Sequence, residues 1–427
     1  MVPDQISKLD LIQARIDVIP SDWQLCKVAE ALNIRNNLRK PISQEVRETI
    51  KGDYPYYGPT KIQGYISEYE QYGTYALIGE DGDHFLKYAT MPQTQYISGK
   101  CTVNNHAHIL ESSEICDAQW FFNYFKHRDI TNFLSRQGAG RFKLNKATLE
   151  KLPMLVPPLS EQRKIAKILS TWDKAIATTE KLIENSKQQK KALMQQLLTG
   201  KKRLVNPETG KAFEGEWEEV KLSHFFDRVT EKNKGQSTNV VTISAQHGLI
   251  RQEEFFKKSV ASETLDNYFI LRKGQFAYNK SYSNGYPMGA IKRLNRYENA
   301  VVTSLYICFE LKNKHLASSC FMEHYFESGL LNRGLTKVAA EGGRAHGLLN
   351  VKPADFMALA ITAPQLIEQQ KIASVLTAAD KEIEILTAKL AHFKQEKKAV
   401  MQQLLTGKRR VKMQDVKAQE LKKTEPA

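Results

Sequence analysis

The sequence has few cysteines and no long apolar run. Its five cysteines form no Cys-x-x-Cys pair, which argues against a zinc site and favours a reducing compartment. No apolar stretch reaches the roughly 18 residues of a membrane span. The opening residues, MVPDQISKLD, lack the basic and apolar segments of a secretory signal. These absences predict a cytoplasmic protein that does not enter a membrane.

The usual catalytic signatures are also missing. The sequence contains no GxxxxGK[ST] phosphate-binding loop, no HExxH metal motif and no GxSxG nucleophile turn. It also lacks the Asn/Asp-Pro-Pro-aromatic tetrapeptide that would hold an exocyclic amino group for methyl transfer. We therefore expect no reaction, no metal site and no cofactor on this chain.

Acidic residues are outnumbered by basic ones, which gives a net charge of +15 and a pI near 9.3. A strongly basic protein attracts polyanions, most often nucleic acid. A basic tail and solvated helix faces explain part of the charge, because KQQKKALMQQLLTGKKR and KAQELKKTEPA hold many of the lysines. The charge favours nucleic acid as a partner without excluding this simpler explanation.

One segment is written twice. MQQLLTGKKR begins at Met194 and MQQLLTGKRR at Met401, an offset of 207 residues (401 − 194). The same offset aligns PPLSEQRKIAKILSTWDKAI with PQLIEQQKIASVLTAADKEI, and the match continues without a gap to the end of both decapeptides. Such a repeat indicates a duplicated unit, or two places in the fold that do the same mechanical job.

Each copy has the apolar spacing of one long helix. Steps of four and three alternate from residue 165 to 197 and from 372 to 404, with a polar break at a similar place in both. Such a helix would be about 58 Å long and would not be stable alone in water. We predict that helices 160–199 and 367–406 form an antiparallel coiled coil with a further face for a partner protein; the alternative is two core helices of one globular domain. The residues predicted to carry spacing and docking are Ile165, Leu169, Trp172, Ile176, Leu193, Leu197, Ile372, Leu376, Ile383, Leu390, Val400 and Leu404.

The ends of the helices are also predicted. Ser160 is a candidate N-cap and Glu161 would lie in the first turn, where a carboxylate is favourable. The second copy has Ile367 in place of Ser160, so that cap is not shared. Gly200 and Gly407 each follow LLT and are predicted to end the helices in a left-handed conformation.

The repeat divides the rest of the chain into similar parts. DWQLCKV, from Asp22, resembles EWEEVKL, from Glu216, and strand-like runs such as TYALIG and AVVTSLYICFEL accompany helix-like AQWFFNYFKHR. The predicted fold is therefore α+β, with two pseudo-repeated domains separated by two long antiparallel coiled-coil helices. The predicted segments are domains 1–156 and 204–362, spacer helices 157–203 and 363–411, and a flexible basic tail 412–427.

Each predicted domain has three glycine-rich turns that carry polar, aromatic and basic side chains. They are YPYYGPTKIQGY, VNNHAH and RQGAGRFK in the first, and TISAQHGL, YNKSYSNGYPMGAIKR and EGGRAHG in the second. Asn and Gln can pair with adenine edges, and Lys and Arg with guanine or phosphates, although any one loop could be an ordinary turn. The residues predicted to contact DNA are Tyr57, Lys61, Asn104, Asn105, His106, Arg141, Asn279, Lys280, Tyr282, Tyr286, Arg344 and His346.

The order of these segments resembles a known family. A variable domain, a helix opening P-x-L-x-E-Q-x-K-I-A and ending LLTGK, a second variable domain and the same helix again resemble the specificity subunit of type I restriction-modification enzymes. The resemblance spans essentially the whole chain. YYGPTKIQGYI with GKCTVNNHAHIL resembles one type of target-recognition domain, and GQFAYNKSYSNGYPMGAIKR resembles another.

This resemblance implies a non-catalytic role inside a larger complex. Each domain would recognise one half of a split site in double-stranded DNA, and the helices would fix the gap between the halves. The helices would also dock two methyltransferase subunits, which use S-adenosylmethionine, and through them two restriction subunits, which use ATP and Mg²⁺. Two identical partners need two equivalent docking surfaces, which explains the repeat.

Other functions remain open at this point. A stand-alone DNA-binding regulator would share the charge and the two domains but would not need a near-identical helix after each. A coiled-coil scaffold would not need two large glycine-looped domains. The specificity subunit of a fused methyltransferase-nuclease is poorly separated by sequence from the type I subunit. Association with a methyltransferase distinguishes the specificity subunits from the regulator.

Overall fold

The computed structural model describes residues 6–137, 141–244, 246–256, 264–339 and 349–412. The chain forms two compact units, and we call residues 1–178 with 390–427 unit 1 and residues 179–389 unit 2. Each unit holds one set of strands and short helices together with part of both long helices. In the described part of the chain, no helix is both long and apolar enough to cross a membrane.

In the described residues of the first half of the chain, ten strands combine with five short α-helices and one long one. The strands are β1 (Gln24–Lys27), β2 (Asn33–Ile34), β3 (Lys51–Tyr57), β4 (Ile62–Ile66), β5 (Gln71–Gly79), β6 (Thr94–Val103), β7 (Ala107–Glu111), β8 (Ser135–Gln137), β9 (Arg141–Lys143) and β10 (Pro153–Val156). The helices are α1 (Lys8–Gln13), α2 (Val28–Ala31), α3 (Gln44–Thr49), α4 (Ala118–Phe125), α5 (Lys146–Lys151) and α6 (Leu159–Leu197).

A six-stranded sheet forms the centre of unit 1, in the order β2-β7-β5-β6-β3-β4. The predicted strand run TYALIG lies in β5, where Ala76, Leu77 and Ile78 are fully buried. Helix α4 packs its aromatic face, including Trp120 and Phe121, into the main apolar core. The sheet is mostly antiparallel, with a short parallel pairing of β3 and β6.

The second half has the same kinds of element in a different sheet. The strands are β11 (Glu218–Lys221), β12 (Phe226–Val229), β13 (Val241–Ser244), β14 (Gly248–Arg251), β15 (Phe269–Arg272), β16 (Phe276–Asn279), β17 (Ala290–Arg293), β18 (Asn299–Val302), β19 (Ile307–Leu311) and β20 (Ala360–Ala363). The helices are α7 (Leu222–Phe225), α8 (Gln252–Phe256), α9 (Ser319–Glu327), α10 (Asn332–Val338), α11 (Pro353–Met357) and α12 (Leu366–Leu404).

Unit 2 is built on a four-stranded antiparallel sheet in the order β12-β19-β16-β17, with two further strand pairs, β13-β14 and β15-β18. The predicted run AVVTSLYICFEL forms β18 and β19, whose apolar residues are buried except for the half-buried Leu311. In the core the rings of Phe276 and Phe309 stack with centroids 5.5 Å apart, and the ring of Phe226 meets both of them edge to face at 5.7 and 5.2 Å. The mixed α and β content in both halves confirms the α+β prediction.

The similar ends of the two halves form the same structure. Strand β1 pairs antiparallel with β10, and β11 pairs antiparallel with β20. The residue that follows β1, Val28, donates its backbone N–H to the carbonyl of Leu152, just before β10, at 3.0 Å. In the same way Leu222, which follows β11, donates to the carbonyl of Leu359, just before β20, at 2.8 Å. The resemblance of DWQLCKV to EWEEVKL therefore reflects a shared framework.

Helices α6 and α12 each have 39 residues, close to the predicted spans. The predicted cap at Ser160 is wrong, because α6 begins one residue earlier and the carbonyl of Pro158 accepts the N–H groups of Glu161 and Gln162. The predicted left-handed glycines are confirmed, with φ of +70° at Gly200 and +69° at Gly407. A Cβ is disfavoured at such angles, which is why glycine ends both copies.

The predicted seam is the buried stripe of each long helix. Positions 165 to 197 and 372 to 404, taken in the predicted steps, are all buried or half-buried. In unit 1, Ile165 and Leu169 join the same apolar core as Leu404. In unit 2, Leu197 joins the core that contains Ile372 and Leu376. Within each unit the two helices therefore meet along the predicted face.

Candidate nucleic-acid interface and paired helices

Charged side chains join the two long helices in unit 1. The ammonium of Lys397, whose side chain is 11% exposed, pairs with the carboxylate of Asp173. Next to this pair the rings of Trp172 and Phe393 meet edge to face, 5.8 Å between centroids. Glu161, near the start of α6, pairs with Arg410, beyond the end of α12, whereas Asp173, further along α6, pairs with Lys397 inside α12, so the helices run antiparallel in this unit. The lysine in the polar break of the seam thus has an acidic partner.

Unit 2 repeats this pairing with the helices exchanged. Here Lys190 lies on α6 and Asp380 on α12, with Nζ 2.5 Å from Oδ1. Lys190 and Lys397 occupy the same position of the repeat, as do Asp173 and Asp380, because each couple differs by 207. Each copy of the repeat thus supplies the aspartate of one ion pair and the lysine of the other.

A second ion pair, also formed twice with the helices exchanged, joins the start of one long helix to the residues that follow the end of the other. In unit 1 the guanidinium of Arg410 donates two 2.8 Å hydrogen bonds to the buried carboxylate of Glu161. In unit 2 Arg203 donates two bonds of 2.7 Å to Glu368. Burial alone would raise the pKa of Glu161, but hydrogen bonds from Arg410 and Trp23 outweigh it and lower that pKa. Bidentate pairs of this kind are among the stronger hydrogen bonds in proteins.

A buried glutamine attaches each long helix to the short helix of its unit. In unit 1 the carbonyl oxygen of Gln162 accepts the backbone N–H of Asp117, the N-cap of α4, at 2.8 Å. In unit 2 Gln369 accepts the N–H of Ser318, the N-cap of α9, at 2.9 Å. These contacts align α4 with α9 at an offset of 201 residues (318 − 117).

The alignment of α4 with α9 extends to a tyrosine. The hydroxyl of Tyr124 accepts the N–H of Leu155 at 3.2 Å, and that of Tyr325 accepts the N–H of Thr362 at 3.4 Å. The two halves therefore share their start, short helix and end, although their sheets differ.

One residue of α9 has a strongly shifted pKa. His324 contacts α12 through Thr377, with 3.1 Å between Nε2 and Oγ1, and lies 3.8 Å from a carboxylate oxygen of Asp380. Burial, and then the charge of Lys190, lower its pKa to about 4, against weaker opposing effects of Asp380 and Glu327. The imidazole is therefore neutral in the folded chain at pH 7.

This histidine predicts a pH-dependent stability. The unfolded side chain binds a proton near its ordinary pKa of about 6.5, whereas the folded one does so only near pH 4. Stability should be unaffected above about pH 6.5 and fall by about 3 kcal/mol as the pH drops from 6.5 to 4. Urea unfolding of the wild type and of His324→Asn, across this range, measures the difference. Asparagine is the residue that the first half carries at this position, Asn123. Parallel pH profiles for the two proteins would contradict the assignment.

The predicted DNA-contacting residues of the first domain have different surroundings. Lys61 is exposed, in the connection between β3 and β4, and lines an open cleft of about 740 Å³ together with Arg47, Lys51 and Gln63. Tyr57 is half-buried in β3, and burial raises the pKa of its hydroxyl. The cleft brings three cations together beside two amides and one carboxylate, that of Glu48.

The predicted residues of the next turn divide into buried and exposed. Asn104 is buried, and its amide donates to Gln63 at 3.1 Å while its oxygen accepts the N–H of His106 at 2.8 Å. Asn105 and His106 are exposed at the tip, and the His106 ring lies 2.9 Å from a carboxylate oxygen of Asp81. Asn104 shapes the turn, and its two neighbours form the surface.

The second domain shows a similar division. Asn279 ends β16 and its side chain accepts the N–H of Ser281 at 3.0 Å. Tyr286 anchors the loop, because its hydroxyl donates to Glu327 and accepts from the ammonium of Lys292 at 3.0 Å. Tyr282 is 67% exposed.

Of the four remaining predicted residues, one is described in full and three are described only partly or not at all. Lys280 is half-buried in the same loop as Tyr282, with no carboxylate partner among the described residues. Arg141 begins β9, opposite Gln137, but its side chain is outside the described part of the chain. Arg344 and His346 also lie outside the described residues.

Comparison with known proteins agrees with this organisation. Residues 20–187 match the family model for the type I restriction modification DNA specificity domain. Over 140 residues the chain is 38% identical to type I restriction enzyme specificity subunit S.HindORF215P of Haemophilus influenzae, a match that spans 33% of this chain and 34% of that relative. Over 419 residues it is 26% identical to the MjaVIII specificity subunit of Methanocaldococcus jannaschii, covering 92% of this chain and 94% of the relative. The chain belongs to the type I restriction-modification specificity family.

A solved structure supports the fold of this specificity subunit. The type I restriction-modification S subunit of M. genitalium superposes with a TM-score of 0.58 at 12% identity, over 94% of this chain and 100% of that one. At such low identity the similarity concerns the fold alone. Specificity subunits of type I systems are non-catalytic, so the DNA-binding role belongs to this chain and the chemistry does not.

Sequence reasoning missed the residues that join the helices of the specificity subunit. The signal was present, because the offset of 207 carries the same acid, amide or base to both copies. A search for periodicity detects the spacing of apolar residues and does not predict which charged residues pair across the helices. The missed residues are Glu161, Gln162, Asp173, Lys190, Arg203, Glu368, Gln369, Asp380, Lys397 and Arg410.

Proposed function

We propose that this specificity subunit recognises a bipartite site in double-stranded DNA, with one domain for each half-site. The long helices set the gap and dock two methyltransferase subunits, through which two restriction subunits join the complex. The partner subunits, and not this chain, then bind S-adenosylmethionine, ATP and Mg²⁺. A chain confined to reading and docking needs no reaction centre of its own.

The exchanged contacts of the long helices carry this proposal. Asp173–Lys397 and Lys190–Asp380 are the same pair formed twice, as are Glu161–Arg410 and Arg203–Glu368. Two equivalent local environments are what two identical partners require. The loops of the two sheets differ, which suits half-sites of different sequence.

The DNA surface that we propose consists of the exposed members of the predicted set together with the half-buried Lys280. Lys61, Asn105 and His106 present a cation, an amide and an imidazole in the first domain. Lys280 and Tyr282 present a cation and an aromatic ring in the second. Amides and cations contact base edges and phosphates, so each domain has the side-chain types for one half-site. Asn104 and Tyr286 serve to hold these loops in shape.

The proposal is tested by expressing the chain with its neighbouring genes and sequencing the host DNA for methylated adenine. The expected result is a two-part methylated motif that disappears when this chain is deleted, together with co-purification of a methyltransferase. Absence of both would favour a stand-alone DNA-binding regulator and overturn the proposal.

Lys280 provides a test at the level of one residue. If its ammonium meets a phosphate, Lys280→Ala should weaken binding of all duplexes and lower the slope of log affinity against log salt by about 1. Fluorescence anisotropy of the purified complex with the methylated motif, between low and moderate salt, measures this slope. Lys314→Ala, an exposed lysine of the same unit outside the predicted loops, is the control. An unchanged slope for Lys280→Ala would remove Lys280 from the interface.

A further inference from the structure

Unit 1 contains a cavity of about 520 Å³ that the proposed function does not use. It lies between one face of α12, the residues that follow α4, and the two residues that follow α1; we call it the basic slot. Among the described residues that line it, five are lysine or arginine and one is acidic, Asp129. The five are Arg15, Arg128, Lys394, Lys397 and Lys398.

Only part of this charge is neutralised by ion pairs. Arg15 lies 2.6 Å from Asp129, and Lys397 pairs with Asp173. Arg128 and Lys398 have no carboxylate partner in the part of the chain that the structure describes. The basic slot therefore carries uncompensated positive charge.

Arg128 is held in place by groups that leave its charge intact. Its guanidinium carbon lies 4.0 Å from the centroid of the Tyr124 ring, and one nitrogen donates to the carbonyl of Ala14 at 2.8 Å. A carbonyl and an aromatic face orient a cation without neutralising it. This arrangement presents Arg128 to the slot as a fixed charge.

The positive charge of the slot contributes to lowered pKa values of two neighbouring side chains. Burial, and then the charge of Lys397, lower the pKa of Lys126. Burial also lowers the pKa of His127, with further contributions from Lys126, Lys397 and Lys398. Bringing an anion into the slot would relieve this repulsion.

Part of the lining of the slot has no counterpart in unit 2. The alignment of α4 with α9 places Glu327, Ser328 and Gly329 where the first half has Lys126, His127 and Arg128. Residues 198–217, all described, contain no helix to match α1. A lining that unit 2 does not repeat does not serve docking surfaces that occur twice. The basic slot therefore has a role separate from the duplicated function.

Size and lining define the occupant. The volume falls within the roughly 300–1,000 Å³ of small-molecule sites. Cations from three elements converge on the slot, while Ala14, Met401 and Leu405 give it an apolar wall. We propose that the basic slot binds a compact polyphosphate anion with an apolar or aromatic part, the class to which nucleoside triphosphates belong. This inference does not depend on the proposed function.

The test is isothermal titration of the full-length chain, purified without partner subunits, with sodium tripolyphosphate and with ATP in Mg²⁺-free buffer. We expect saturable binding at one site per chain, with affinity lowered about tenfold or more in Lys398→Glu. Lys398 is exposed, so this variant should fold, and circular dichroism melting checks that. Tighter binding of ATP than of tripolyphosphate supports a nucleotide, and equal binding supports recognition of polyphosphate alone.

Lys191→Glu is the matched control, because Lys191 stands 207 residues before Lys398, at the same position of the repeat, and is also exposed. Its anion affinity should equal that of the wild type. Equal losses in both variants would show diffuse charge attraction and overturn the proposal. So would undetectable binding of either anion. A loss of duplex DNA binding in Lys398→Glu without any tripolyphosphate binding would assign the slot to the DNA surface instead.

Discussion

Gln162→Leu is expected to destabilise unit 1 by about 3–5 kcal/mol. The side chain is fully buried and satisfies three backbone groups: the N–H of Asp117 at 2.8 Å and the carbonyls of Ile115 and Pro157 at 2.8 and 2.7 Å. Leucine has a similar volume but leaves all three unpaired, at about 1–3 kcal/mol each before relaxation. Urea unfolding followed by tryptophan fluorescence measures the loss.

The second half supplies a graded comparison. Gln369 satisfies two such groups, the N–H of Ser318 and the carbonyl of Pro364, so Gln369→Leu should cost less, about 2–4 kcal/mol. Gln195→Leu, at an exposed position of α6, is the control for replacing glutamine by leucine on a long helix. A loss for Gln162→Leu no larger than that of the control would show that water reaches these backbone groups and replaces the amide.

Asp173→Ala should cost about 2–4 kcal/mol, whereas Lys397→Met should be close to neutral. Removing the carboxylate leaves an ammonium that is 11% exposed without its partner, next to Lys126. Replacing the lysine by methionine leaves Asp173, which is 49% exposed, free to be hydrated. The double variant should therefore resemble Lys397→Met. Equilibrium unfolding of the three proteins gives the coupling free energy.

The opposite ranking would change the interpretation of the pair. If Lys397→Met were as destabilising as Asp173→Ala, the ion pair itself would supply net stability. The expected ranking instead makes the pair a device that specifies how the helices align. A helix shifted along its partner would bury the lysine without a carboxylate, which is far less favourable than slipping an apolar seam.

The long helices were the most predictable part of the fold. Their apolar spacing and the glycines at 200 and 407 are local signals, and the structure has both as expected. Ser160 lies in the first turn of α6, because the carbonyl of Pro158 accepts the first hydrogen bonds of the helix. The sequence could not show this, because a serine close to a helix start has the residue type of an N-cap. Local sequence places helix ends only to within one or two residues.

The candidate DNA residues show where sequence reasoning ends. Asn104 and Asn105 are adjacent and identical in type, yet one is buried as the hydrogen-bonding centre of a turn and the other is exposed. Tyr282 and Tyr286 differ in the same way within one loop. The side of a turn that faces water depends on strands that are distant in sequence. Composition therefore predicted which loops are polar and basic, but not which of their side chains are exposed.

The exchanged ion pairs have a consequence for the ancestry of the chain. Helix α6 alone carries both Asp173 and Lys190, and α12 alone carries both Asp380 and Lys397. A gene for one repeat would thus encode both sides of the pairing, and two copies of its product could match each other by twofold symmetry. Duplication and fusion of that gene would preserve the match while freeing each sheet and its loops to diverge.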